Sequence, residues 1–246
     1  MIENWRAFCA AREKFLRICG EIARELPELE AAQQHLADTR EGGTYKVETP
    51  VVYNSALDDV TPDDAVKLIL VADNPGRREQ SAQWRRFLVG PSGKLAESFF
   101  KRETSLAIDF RKNVLILNKT PVHTPRTVEL KKLAGLLDDN FKRVLEDSQK
   151  KMAGLLADFY AALKVPIWII GYSEMKKRAV FEAYTDELKN LMRSGKIAEN
   201  DVMLFRHFSM NQFTIDLGKR RYQGESTGKA LERIGSAYRA RILGQR

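Results

Sequence analysis

The chain has 246 residues, enough to bury a substantial core in one large domain or two small ones. Lysine and arginine number 41 against 33 acidic residues, a net charge of +8 that favours polyanionic partners without naming one. No apolar run approaches the ~20 residues that span a bilayer. Two cysteines are too few for a four-thiolate cluster, and three histidines without His-x3-His or Cys-x2-Cys spacing argue against a zinc site.

From residue 3 to 26, Trp5, Phe8, Phe15, Leu16, Cys19, Ile22 and Leu26 recur at three- and four-residue steps, which predicts an amphipathic helix whose apolar face needs a neighbour, most simply the main sheet. Glu3, Arg6, Arg12 and Glu13 interrupt this segment, so it lacks a signal-peptide core. The expected setting is the cytoplasm, with nucleoid association in a prokaryote. Cys9 and Cys19 would be separated by about 15 Å of helix rise, too far to bridge. Arg40 to Thr44 carries a loop signal, and Thr61 to Asp64 a turn.

Leu68 to Ala72 is an apolar run that breaks abruptly into Asp73-Asn74-Pro75-Gly76, the composition of a buried strand feeding a shaped loop. A short helix is expected over Leu95 to Phe100, capped by Ser92. Val114 to Leu117 forms a second apolar run, ending in Asn118-Lys119-Thr120-Pro121. Thr127 to Leu163 is helical and highly charged, with a break near Asp138-Asp139-Asn140. Val165 to Ile170 predicts a third strand ending at Gly171, and helices are expected over residues 174 to 193. Val202 to Phe205 runs into Arg206-His207-Phe208-Ser209, and Gly228 to Leu243 closes the chain as a helix.

Strand–helix alternation of this kind implies an α/β fold, a three-layer α/β/α sandwich with a central, mainly parallel four-stranded sheet. The expected organisation is a single domain over residues 1–246 with an N-terminal helical extension to about residue 46. Ligands of open α/β sheets bind at the carboxyl ends of the strands. If the strands are parallel, the polar ends after residues 72, 117 and 205 meet on one rim.

Gly90-Pro91-Ser92-Gly93-Lys94 resembles two phosphate and nucleophile signatures and satisfies neither. Val89 and Leu95 stand where a P-loop needs Gly and Ser or Thr, and Lys94 stands where a nucleophile elbow needs Gly. What remains is a helix start that is either only a cap or, with Lys94 beside it, an anion site.

Taken together, four of these segments resemble the uracil-DNA glycosylase superfamily over roughly residues 47 to 213. Asn74-Pro75-Gly76 is similar to the Asn-Pro-Gly form of its first motif. Arg86-Phe87-Leu88-Val89-Gly90-Pro91-Ser92-Gly93 resembles the Phe-Val-Gly segment of its thermophilic branches. Leu115-Ile116-Leu117-Asn118 resembles the strand whose terminal Asn reads the pyrimidine, and His207-Phe208-Ser209 resembles a His-Pro-Ser motif with Phe in place of Pro. The thermophilic branches hold an iron–sulfur cluster on four cysteines, which this chain does not have.

The resemblance implies roles for individual residues, each with a plainer alternative. Asn74, otherwise a turn residue, would orient the attacking water but cannot take its proton. His207, otherwise a structural histidine, would donate to the uracil oxygen that gathers negative charge. Asp73 would contribute to uracil binding, mainly by its backbone. Phe87 would be either core or the floor on which the base stacks. Asn118 would pair with N3–H and O4 of uracil, a pattern that cytosine reverses. Gly76 stands where the most selective branch has a Tyr that excludes the thymine methyl.

Met210-Asn211-Gln212-Phe213 would be the wedge that helps flip the base, unless Met210 and Phe213 pack inward, and Ser209 just before it would contact DNA. Ser92, Lys94, Lys219, Arg220 and Arg221 would contact DNA phosphates, although a run such as 219–221 is often only a solvated surface. His123 reads as a loop residue between Pro121 and Pro125.

The resemblance thus implies a monomeric, monofunctional glycosylase that excises uracil from DNA, leaves an abasic site, and needs no cofactor or metal. A non-catalytic or weakly active member that binds single-stranded or modified DNA is the first alternative. A doubly wound protein that binds a small nucleotide at the same rim is the second, opposed by the lack of a Gly-rich dinucleotide fingerprint.

Overall fold

The structure, a computed structural model, describes residues 2–39 and 45–244; the expected loop at Arg40 to Thr44 falls outside them. Four strands, β1 (Leu68–Ala72), β2 (Val114–Asn118), β3 (Ile167–Ile170) and β4 (Val202–Phe205), form one sheet in the order β2-β1-β3-β4. Every pairing is parallel, with Leu70 beside Ile116 and Trp168, and Ile169 beside Leu204. All five residues of β1 are buried, as are all five of β2. Continuous apolar runs of this kind are what a sheet covered on both faces requires.

Helices supply that cover. α1 (Trp5–Glu25) starts where the Asn4 side chain accepts from the Ala7 N–H, and it buries Phe8, Ala11, Phe15, Ile18 and Ile22 on one stripe. The partner of its apolar face is α5 (Asp139–Leu163), and Phe15 also packs beside Tyr53 and Phe87. α2 (Leu29–Asp38) lies within the N-terminal extension and meets α4 (Glu129–Leu136). The break between α4 and α5 falls at Asp138, whose carboxylate accepts from the N–H groups of Asn140 and Phe141. On the far side, α8 (Thr227–Leu243) lies so close to β4 that a Cβ at Gly235 would come within 2.7 Å of Met203.

Three local expectations are corrected. The helix α3 (Pro91–Arg102) is capped by Gly90, with Pro91 in the first turn, so Ser92 is a first-turn residue and not the cap. Proline has no N–H to satisfy and a φ already suited to that position. Gly93 is required there, since a Cβ would sit 1.5 Å from the Leu88 carbonyl oxygen. Residues 174–193 are not helical throughout: a 3₁₀ turn over Tyr172–Met175 precedes α6 (Glu182–Arg193), and Arg178, at a φ of 64°, lies in the non-helical stretch between. Finally, α7 (Gln212–Arg220) takes in Phe213, which is buried.

Candidate active site

A cleft of about 630 Å³ opens at the carboxyl ends of β1, β3 and β4, a volume typical of small-ligand sites. The chain after β1 contributes Asp73, Asn74 and Gly76, the chain after β3 contributes Gly171 and Tyr172, and the chain after β4 contributes Arg206 to Met210 apart from Phe208. Thr124 to Thr127, beyond β2, close a fourth side. The parallel sheet therefore brings the polar ends of β1, β3 and β4 together on one rim, whereas Asn118, at the end of β2, does not line it.

Asn74 is held in one orientation. Its Nδ2 donates to Thr124 Oγ1 at 2.9 Å and to the Thr124 carbonyl at 3.2 Å, with the Pro75 carbonyl at 3.3 Å. Thr124 Oγ1 donates in turn to the Arg126 carbonyl at 3.0 Å, so it can only accept from Asn74. With its nitrogen surrounded by acceptors, the amide leaves Oδ1 as the atom available to a ligand or water.

His207 is fixed as firmly. The Ser209 N–H donates to Nδ1 at 3.0 Å, so Nδ1 carries no proton and the neutral ring carries it on Nε2. Burial pushes its pKa below the ordinary histidine value and Lys119 adds to this, against the opposing pull of Asp73. The ring is therefore a neutral Nε2–H donor at the cleft wall. Phe208, in the place expected of a proline, is fully buried and stacks on Phe213 with ring centroids 4.2 Å apart. This aromatic pair anchors the turn that carries His207, a role the proline's stiffness would otherwise serve.

Asp73 acts through its side chain more than the sequence implied. Its Oδ1 accepts from Lys119 Nζ at 2.6 Å, and its Oδ2 lies 3.3 Å from Thr127 Oγ1. Lys119 is wholly buried, donates also to the Ile170 carbonyl at 2.6 Å, and sits over the Phe181 ring. Burial lowers the Lys119 pKa while Asp73 raises it. A Cβ at Gly171, whose φ is 81°, would lie 2.3 Å from Asp73 Oδ1, so only glycine leaves room for this pair. Sequence reasoning missed Lys119, although it directly follows Asn118 at a polar strand end.

Two expected base contacts lie off the cleft wall. Phe87 is buried in the core beside Phe15 and lines a separate cavity; the next residue, Leu88, lines the cleft instead. Leu88 has a φ of 51°, a left-handed conformation that redirects the chain at that point. Asn118 is 1% exposed, and neither atom of its amide has a hydrogen-bond partner. Its register partner Ala72 lines the cleft, so Asn118 stands one strand spacing away, about 4.8 Å.

Glu79 was also missed. It is buried, lines the cleft, and accepts from the Gly76 N–H at 3.2 Å. Burial raises its pKa to about 7, against hydrogen bonds from the Gly76 and Leu88 backbones. It thus ties the Asn74-Pro75-Gly76 loop to the chain at Leu88. His123 pins the same loop at Pro75: Nδ1 donates to the Pro75 carbonyl at 2.8 Å, and Nε2 accepts from the Tyr45 hydroxyl at 2.8 Å. Burial holds its pKa down at about 4.

Of the residues expected at DNA, Ser92, Ser209, Met210 and Arg220 line the cleft, whereas Lys94, Lys219 and Arg221 do not. Arg220 is paired with Asp216 at 3.0 Å, and Arg221 donates to the Glu225 carbonyl. The wedge expected over Met210 to Phe213 is narrower than the sequence implied. Phe213 packs inward, but Met210 is 77% exposed, and it and Asn211 adopt left-handed φ values of 51° and 56°. Arg126, Lys176 and Arg241 also line the cleft, and none has an acidic partner among the described residues. Among those residues no group of three or more histidines, cysteines or carboxylates is placed to hold a metal ion, and no helix is long and apolar enough to cross a membrane. No known protein family model matches the chain, and no curated protein matches it in sequence.

Proposed function

We propose that this protein is a DNA glycosylase that flips uracil into the cleft and hydrolyses its bond to the deoxyribose. The observation that carries the reading is the pairing, in one cleft, of an acceptor and a donor whose orientations are both fixed: Asn74 Oδ1 and His207 Nε2–H. Fixed dipoles cost no reorganisation when charge develops.

In this reaction the C1′–N1 bond breaks and its electron pair leaves with the base, giving a uracil anion and an oxocarbenium-like sugar. His207 Nε2–H donates to the carbonyl oxygen that gathers the negative charge, and one such donor contributes ~3 kcal/mol. Asn74 Oδ1 accepts from a water and aims its lone pair at C1′. The water's proton passes to solvent or to the departing base, because an amide cannot take it. Leu88 and Tyr172, which line the cleft, are read as apolar walls for the base, and Met210, which is exposed beside it, as the side chain that enters the stack the base vacates.

Incubation with uracil-containing oligonucleotides in EDTA, followed by alkaline cleavage of abasic sites, tests this directly. Strand scission at uracil is expected; none at enzyme excess on single-stranded, U·A and U·G substrates would overturn it. The burial of Asn118 behind Ala72 favours a second reading, a weakly active or non-catalytic member that binds modified or single-stranded DNA. Binding without scission in the same assay would select it.

A further inference from the structure

The chain leaves the cleft at Glu79 and returns at Leu88, and the stretch between carries the one exposed tryptophan among the described residues. Trp84 is 39% exposed, although its turn is built rather than loose. The N–H groups of Trp84 and Arg85 both donate to the Ser81 carbonyl, at 2.9 and 3.0 Å. The Ser55 N–H holds the Arg85 carbonyl at 2.8 Å, Glu48 accepts from the Ala82 N–H, and Arg86 pairs with Asp59. Arg85 has a φ of 41°, a strained conformation for a residue with a side chain. A turn this constrained keeps part of the indole in water, at the expense of apolar surface that fuller burial would have removed from water.

Basic side chains outnumber the carboxylates on this turn, Glu48 and Asp59. Arg78 lies over the Trp84 ring at 5.8 Å, and Arg77 over the Tyr45 ring at 4.9 Å. Arg77, Arg78 and Arg85 are exposed and have no acidic partner among the described residues. Trp84 is four residues from Leu88, so it lies within about 14 Å of the cleft wall. An aromatic face set among unpaired guanidinium groups suits a polyanion that presents flat, unstacked bases, which is single-stranded nucleic acid and not a duplex.

We propose that Trp84, with Arg77, Arg78 and Arg85, forms a stacking platform for an unpaired base of the DNA strand that enters the cleft, so that the protein prefers single-stranded or locally opened DNA. This rests on reading the cleft as a DNA site, and it adds a strand preference that the cleft alone does not give.

The test uses a short, labelled, uracil-free oligonucleotide, single-stranded or in a duplex, with the full-length protein and fluorescence anisotropy. Trp84→Ala is expected to weaken single-strand binding by about tenfold and duplex binding by less than twofold, while Trp84→Phe retains most of the affinity. Single-strand binding should also quench an indole signal in the wild type that is absent from Trp84→Phe. Unchanged single-strand affinity in Trp84→Ala, equal losses on both forms, or no quenching in the wild type would overturn the platform. If Trp84→Ala does not fold, the quenching comparison decides alone. The platform and the glycosylase reading fail separately: a Trp84 effect without excision of uracil removes only the enzyme, and excision without a Trp84 effect removes only the platform.

Discussion

At the scale of single residues, hydrogen bonds that can run in only one direction fix which atoms of Asn74 and His207 face a ligand. Asn74 and His207 were legible through the resemblance of Asn74-Pro75-Gly76 and His207-Phe208-Ser209 to known motifs, each two residues beyond an apolar run. Leu88 was not legible, since Phe87 beside it is the larger and more suggestive ring; only the left-handed turn at Leu88 shows which of the two reaches the cleft. The pair gives a separable prediction. Phe87→Ala should destabilise the fold by ~3–5 kcal/mol in denaturant unfolding, as for other buried aromatics, with little change in ligand affinity once folded. Leu88→Ala should cost less stability, because Leu→Ala truncations run lower, while weakening binding of a uracil-containing oligonucleotide. The reverse pattern would return Phe87 to the site.

At the scale of elements, the strands were plain because a sheet covered on both faces needs unbroken apolar runs, and all four ended within a residue or two of the expected places. The loops were harder. Nothing in the periodicity tells that Glu79 and His123 both grip the Asn74-Pro75-Gly76 loop: the His123 contact joins residues 48 apart in sequence, and the Glu79 contact, three residues along, is made by a side chain to a loop N–H outside any helix or strand. These two groups also oppose each other in acid. His123 has a folded pKa of about 4, depressed from 6.5, so its contribution to stability is complete above pH 6.5 and is lost as pH falls towards 4. Glu79 has a folded pKa raised from 4.5 to about 7, so its contribution is complete below 4.5 and is lost as pH rises through 7. Wild-type stability should therefore vary little between pH 4.5 and 7 on account of this pair. His123→Asn removes one side: the stability difference between wild type and variant should shrink by ~3 kcal/mol from pH 7 to pH 4 in urea titrations. A difference that stays constant would mean that His123 is not buried as a neutral ring.

At the scale of the whole molecule, the net charge of +8 is not spread evenly in its consequences. The run Lys219-Arg220-Arg221 stood out in the sequence, yet Arg220 is tied to Asp216 and the other two lie off the cleft. Arg126, Lys176 and Arg241, scattered along the chain, line the cleft without acidic partners among the described residues. Replacing these three with alanine should flatten the dependence of log K on log salt for duplex DNA by ~2–3 in slope, roughly 0.9 for each phosphate no longer neutralised. Lys219→Ala should leave the slope unchanged, and a larger effect there than at Arg126 would reassign the phosphate path.

The central claim, that Asn74 and His207 together hydrolyse the bond to uracil, is tested most directly by single-turnover excision in EDTA, with binding measured in parallel. Wild-type protein should release uracil, while Asn74→Ala and His207→Ala should each bind uracil-containing DNA nearly as well and fall ~100-fold or more in rate, because both interactions strengthen only as charge develops. Excision at the wild-type rate in both variants would contradict the account.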